Sequence, residues 1–254
     1  MDRVCKKISY LLITVLSISL AGCGGTVRRY KIHYTLLEHT RPVPHKVLVL
    51  PADISVYHIS TGGVTEEIKK WSDLANRNAR AAIESYAKQS KKFQLVPMPK
   101  LTRHEKRIMN EHIALYNIVG RMGLSYFSGP WQHKRSKFDY SIGPGLKFLA
   151  DKTGADTAML TVGIDYVSSG GRKAAAVGLL LAGIFIGHGA RVPLGYSSLV
   201  VGLIDLRTGN LLWIKREHDS VRTLRNAQHV NELFSRLMAD YPGIENYRKA
   251  LGKK

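Results

Sequence analysis

Cysteine is nearly missing from this chain. Its 254 residues hold two, Cys5 and Cys23. Everything after residue 23 lacks a thiol, which excludes a cysteine nucleophile, a cysteine-ligated metal and a redox pair there. Acidic side chains are also scarce: 19 Asp and Glu stand against 38 Lys and Arg, a net charge of +19. Such a charge favours anionic partners or belongs to a solvated basic surface. The basic residues are spread along the chain and no nucleic-acid recognition motif accompanies them, so a nucleic-acid partner is not expected. No internal repeat is present. There is no GxSxG elbow, and Ser169-Gly170-Gly171-Arg172-Lys173-Ala174 lacks the spacing of a phosphate-binding loop. The ten histidines show no HExxH pair. No catalytic, cofactor-binding or metal-ligating residue is assigned, and the expectation is a non-enzyme without a cofactor.

What is present starts at the N-terminus. Arg3, Lys6 and Lys7 precede an apolar run from Ile8 to Leu20. The run has the length of a signal-peptide core and is short for a membrane span. Leu20-Ala21-Gly22-Cys23 follows and resembles the lipobox of bacterial lipoproteins. That resemblance implies acylation of the Cys23 thiol, cleavage before it and a lipid-anchored mature protein. Gly24, where some lipoproteins carry Asp, implies the outer membrane, facing the periplasm. Cleavage would remove Arg3, Lys6, Lys7 and Asp2, leaving 35 basic against 18 acidic side chains, a net +17.

Hydrophobic periodicity sets the expected elements. Val47–Leu50 and the segment around Ile54–Tyr57 read as strands. A long amphipathic helix is expected from Thr65, an N-cap, with Glu66 and Glu67 in its first turn. Its apolar positions are Ile68, Trp71, Ala75, Ala79, Ala82, Ile83 and Tyr86. Residues 93–99 read as a strand, about 102–118 and 144–152 as helices, and 156–168 as an alternating strand. Two β-rich runs flank Arg207-Thr208-Gly209-Asn210 and predict a hairpin. Val230, Leu233, Phe234, Leu237, Met238 and Tyr241 mark one face of a last helix. Asp151, Asp156, Asp165 and Asp205 fall at element ends, where capping is commoner than catalysis. The expected fold is α/β: a single domain with a mixed β-sheet and helices packed against it, preceded by a lipoprotein signal peptide. The expected organisation is signal peptide 1–22, lipidated N-terminus and tether 23–45, α/β domain 46–241 and basic C-terminal tail 242–254.

Ala174–Gly187 is the second unusual stretch, with no charge or strongly polar group. As a helix it would be about 20 Å long, short of a hydrocarbon core of about 30 Å. It reads as a buried core helix, as a membrane-dipping or subunit-contacting segment, or as two short strands. Leu179, Leu180, Leu181, Gly183, Ile184, Phe185, Ile186 and Gly187 are its candidate membrane or oligomer contacts, with Gly183 and Gly187 at close-packing spacing.

Three phrases carry a further resemblance. "KVLVLPADIS", "TGADTAMLTVGIDY" and "VVGLIDLRTGNLLWIKRE" are similar to the opening strand, the central strand unit and the hairpin of a group of envelope lipoproteins. The group is related to the curli-secretion-channel lipoprotein and the TolB N-terminal domain. Residues 102–140 and 174–187 do not follow its pattern. The resemblance implies an accessory or assembly role in an outer-membrane or periplasmic machine, with an envelope protein as partner. Two alternatives stay open: a membrane-inserting homo-oligomeric assembly using 174–187, and a binder of anionic glycan, lipid or lipopolysaccharide.

Overall fold

Strand β6, Thr157–Ser168, is the spine of the molecule. Its first six residues are buried on both sides, as a run without interruption by charge requires. The computed structural model describes residues 30–124, 137–176, 195–220 and 222–250. One edge of β6 takes two strands in succession, both parallel to it. β2, Lys46–Val49, pairs Val47 with Thr157, and β3, Asp53–Ile59, pairs Asp53 with Val162. Pro51, which has no N–H to give to a ladder, stands between them. Leu50 makes the last bond of the first register, donating its N–H to the Met159 carbonyl at 3.0 Å.

The other edge of β6 carries an antiparallel hairpin, β7 (Gly195–Asp205) and β8 (Leu211–Asp219). Short strands complete the eight-stranded mixed sheet. β1, Tyr30–Ile32, pairs antiparallel with β8; β5, Gln94–Val96, lies parallel on β2; and β4, Thr65–Glu67, forms a hairpin with β3.

Helices cover both faces. On one lie α2 (Lys69–Ser90) and α5 (Ala227–Met238), with α1 (Tyr34–Leu37) and α6 (Ile244–Ala250) at its margin. Ala75, Ala79 and Ala82 give α2 a smooth inner side, so Val47, Val56 and Met159 come up against it. On the other face lie α3 (Arg103–Leu124), a 3-10 turn (Pro144–Leu146) and α4 (Lys147–Thr153). Thr102 and Glu105 cap α3 reciprocally: the Thr102 N–H donates to the Glu105 carboxylate at 2.8 Å and the Glu105 N–H to the Thr102 hydroxyl at 3.2 Å.

This is the α/β architecture with a mixed sheet that the periodicity predicts. One boundary is corrected. The helix expected from Thr65 begins at Lys69, after Ile68. Thr65 and Glu66 pair instead with Ile59 and His58 across the β3–β4 hairpin. The Glu67 carboxylate accepts a 2.9 Å bond from the Ser72 hydroxyl, so it supports the first turn from outside the helix. Ordered structure also extends beyond both ends of 46–241. β1 and α1 lie within 23–45, and Tyr247 of α6 packs beside Tyr30 with ring centroids 5.6 Å apart.

Candidate functional site

The strands β6, β7 and β8 end very differently at their two extremities. At the hairpin turn the Asp205 charge is fully used. The Asp205 carboxylate, 4 % exposed, accepts from the Arg207 and Thr208 N–H groups at 2.8 and 2.9 Å. Its other oxygen pairs with Arg41 at 2.6 Å. Gly209 has φ +75, and a Cβ there would collide with the Gly143 backbone. Asp151 pairs with Arg207 at 3.2 Å, and Asp156 accepts weakly from the His45 and Lys46 N–H groups. Asp205 and Asp156 make the backbone contacts expected of capping residues, while Asp151 forms an ion pair. Among the described residues the Arg41 Nε and one Asp156 carboxylate oxygen are the buried polar atoms left without a partner at this end.

The opposite end is open. A cleft of about 340 Å³ lies where β6 ends and β7 begins. Lys173, Arg222, Arg225, Asp165, Ser168 and Tyr196 are among its walls. Lys173 comes from a helical segment at 170–176 and is exposed, with no ion-pair partner among the described residues. Arg222 pairs with Glu232 at 2.9 Å and reaches Asp219 at 3.8 Å. Arg225 lies 4.2 Å over the Trp71 ring and donates to the Thr223 hydroxyl at 3.2 Å. The single carboxylate, Asp165, is 2 % exposed and spends itself inward: it accepts from the Thr223 hydroxyl at 2.6 Å and the Leu224 N–H at 2.8 Å. Burial pushes the Asp165 carboxyl above its ordinary pKa, opposed by those two bonds and by Arg225. The Ser168 hydroxyl is different. Ser168 is 5 % exposed and its oxygen has no hydrogen-bond partner among the described residues.

A row of rings lies on the sheet face opposite to Asp165. Tyr57, Tyr166 and Tyr196 fall in register across β3, β6 and β7. By strand alternation they share the α3 face. Tyr57 and Tyr166 stack at 5.2 Å between centroids, and Tyr196, 40 % exposed, stacks on His218 at 6.2 Å. Tyr196 also walls a smaller groove of about 190 Å³ on that face, with Ile164, Ser198, Arg121 and Arg216. Arg216 is exposed and has no side-chain partner among the described residues.

A second surface is apolar. Leu115, Ile118 and Met122 stand exposed on the outer side of α3, at spacings of three and four. The inner side of the same helix buries Met109, Ile113 and Tyr116. Tyr116 lies against Gly202 of β7, where a Cβ would come within hard contact of its ring.

The site residues expected from the sequence fall elsewhere. Cys23 and Leu179, Leu180, Leu181, Gly183, Ile184, Phe185, Ile186 and Gly187 lie outside the described residues. Of Arg172 and Lys173, which precede the apolar run, Lys173 walls the cleft. The tyrosine row was missed. Its signal was Tyr at an outward position of each of three strands, which becomes visible only once the pairing is known. Lys215 was missed too. It is 2 % exposed, and its ammonium donates to Asp240 at 2.7 Å and to the Arg236 carbonyl at 2.6 Å, with Glu217 at 3.3 Å. Among the described residues no group of three or more His, Cys, Asp or Glu is placed to hold a metal ion, and no helix is long and apolar enough to cross a membrane.

No family model matches the chain, and no curated protein does. Solved structures give distant likenesses. Lipoprotein GNA1162 from Neisseria meningitidis is 12 % identical, with a TM-score of 0.34, covering 79 % of this chain and 99 % of that one. The LpoB C-terminal domain from Salmonella enterica is 13 % identical, with a TM-score of 0.25, covering 74 % and 95 %. The PelC dodecamer from Paraburkholderia phytofirmans is 10 % identical, with a TM-score of 0.27, covering 78 % and 90 %. Likenesses of this size assign neither a family nor an activity to the chain.

Proposed function

We propose that this protein is a lipid-anchored, non-enzymatic accessory factor of the bacterial cell envelope. The observation that carries the reading is the signal-like run ending in Leu20-Ala21-Gly22-Cys23. A thiolate is the nucleophile that thioether formation to a diacylglyceryl group needs. Several acyl chains then hold the protein at a membrane far more firmly than one, at about 0.8 kcal/mol per buried methylene. The α/β domain is carried at the outer membrane and engages another envelope protein. The exposed stripe Leu115–Ile118–Met122 supports that second half. Apolar side chains at helical spacing, on a helix whose opposite side is already buried, suit a groove or helix on a partner.

Metabolic labelling with a fatty acid tests the anchor. The wild type is expected to be tagged and Cys23→Ala to be unlabelled; equal labelling of the two refutes the anchor. A photo-crosslinking residue at Ile118 tests the partner surface. One discrete adduct in cells, lost when Leu115 and Met122 are both changed to Ser, is the expected result. A smear with no discrete adduct rejects α3 as the docking surface.

A further inference from the structure

We propose that the free edge of β5 and the groove beside it take an extended, acidic segment of a partner protein, which adds a strand to the sheet and sets an apolar side chain under α2. This goes beyond the accessory role above and rests on neither the lipid anchor nor the α3 stripe.

The backbone comes first. β5 ends the sheet: it pairs with β2, and no strand lies beyond it among the described residues. A residue in a parallel ladder turns its N–H and C=O to the same side. Gln94 turns inward, donating its N–H to the His45 carbonyl at 2.7 Å. Leu95, the next residue, therefore turns its N–H and C=O outward, away from β2. Those are the groups that strand addition uses.

The groove comes second. A space of about 440 Å³ lies between β5 and the C-terminal half of α2. Val49, Ala87, Phe93 and Leu95 give it an apolar lining. All four belong to the α2 side of the sheet. Ala87, with its small side chain, leaves the space open where α2 passes the edge. In an added strand every second side chain points to this side, so one residue of the incoming segment fills the groove while its backbone meets Leu95.

Charge comes third, and it selects the partner. Arg80 and Lys88 rim the groove, with Glu84 as the carboxylate among its walls. Glu84 is taken by Arg80 at 3.0 Å. Lys88 is exposed and has no ion-pair partner among the described residues. An incoming strand with acidic residues beside its apolar anchor complements that rim. β4, another margin of the sheet, shows the contrast: Thr65, Glu66 and Glu67 are all exposed and carry no apolar recess. The shortness of β5, three residues, limits indiscriminate edge pairing, so the groove and its charge carry the selectivity.

The test uses the full mature protein, solubilised in detergent, and fluorescence anisotropy of a labelled heptapeptide that alternates valine with aspartate. One control peptide carries methyl groups on its backbone nitrogens, and another replaces each aspartate by lysine. The expected result is saturable binding, weakened at least about tenfold by N-methylation or by the lysine exchange. Leu95→Pro deletes the outward N–H and spares the bonds to β2, a place where an edge strand tolerates proline. It is expected to weaken binding about tenfold with native circular dichroism. Lys88→Glu is expected to weaken it about fivefold at an unchanged melting temperature. Lys70→Glu, about 27 Å away along α2, is expected to stay within about twofold. Equal binding of the N-methylated peptide overturns strand addition, and decides the matter even if Leu95→Pro fails to fold. Equal losses in Lys88→Glu and Lys70→Glu overturn the groove, because the attraction would then be general. Self-association of the wild type that Leu95→Pro abolishes overturns the partner in favour of a second copy of this chain. No binding of the aspartate peptide overturns the proposal outright.

Discussion

The two ends of the β6–β7–β8 unit each bury one aspartate, and the two aspartates are treated in opposite ways. Asp205 at the turn has a cation at 2.6 Å and two backbone donors. Asp165 at the cleft has a hydroxyl and one backbone donor, and burial pushes its pKa up. One end spends its charge on itself: Asp205 is satisfied by Arg41 and the turn N–H groups, although the Arg41 Nε and one Asp156 oxygen lack partners among the described residues. The other retains, among the described residues, a lysine without an ion-pair partner and a buried hydroxyl without a hydrogen bond, with a half-exposed ring on the α3 face. A sheet end that spends its charges on its own turn serves the fold. One that leaves a cation open beside a cleft has room for a ligand.

The sharpest way to break the comparison is Gly209→Val. The position combines a positive φ with backbone contact to Gly143, so a β-branched side chain is strained in both respects. Stability is expected to fall by about 3 kcal/mol or more in urea titration. A native midpoint would show that the turn end is less constrained than its contacts indicate.

Replacing each aspartate by asparagine separates the ends directly. Asp205→Asn leaves Arg41, which is largely buried, without its ion, and about 2–3 kcal/mol of stability should be lost. Asp165→Asn keeps an acceptor for Leu224 and Thr223 and removes a charge that burial already disfavours. Its cost should stay below about 1 kcal/mol. Equal costs would erase the distinction.

pH gives a third test, again at the closed end. His33 is 1 % exposed, and burial lowers its pKa from 6.5 to about 4, against the pull of Asp139 and Asp205 and with that of Lys137 and Arg41. Its Nδ1 accepts the Thr35 N–H at 3.3 Å and caps α1. The folded protein therefore resists a proton that the unfolded chain accepts. The His33 contribution is constant above pH 6.5, is lost progressively as pH falls towards 4, and levels off below it. His33→Asn keeps an N-cap acceptor and should flatten the melting temperature between those values. An unchanged pH profile would count against a neutral His33.

Lys173→Glu carries the smallest expected effect on the fold. The side chain is exposed at the open end, so the melting temperature should move by about 1 °C or less. A large drop would mean that Lys173 belongs to the structure.

Much of the fold was legible. Val47, Leu48 and Val49 announce a strand buried on both faces, and Val230, Leu233, Phe234 and Leu237 a helix with one buried side. Thr208-Gly209-Asn210 announces a turn because Gly209 must take a positive φ. The start of α2 was not legible. Thr65-Glu66-Glu67 has the chemistry of a helix cap, and the pairing with β3 outweighs that preference. Lys215 could not be found either, since an isolated lysine in a strand reads as outward until Asp240 and Glu217 are brought to it.

The chain alone therefore determined most of its elements, its basic charge and the presence of the Leu20-Ala21-Gly22-Cys23 motif, because periodicity, charge and a contiguous motif are local properties. Tertiary structure decided that β2 and β3 share one edge of β6, that Tyr57, Tyr166 and Tyr196 form one row, and that Lys173 meets Arg222 and Ser168. Those neighbours are distant in sequence, and only strand register and the burial of two opposed apolar faces bring them together.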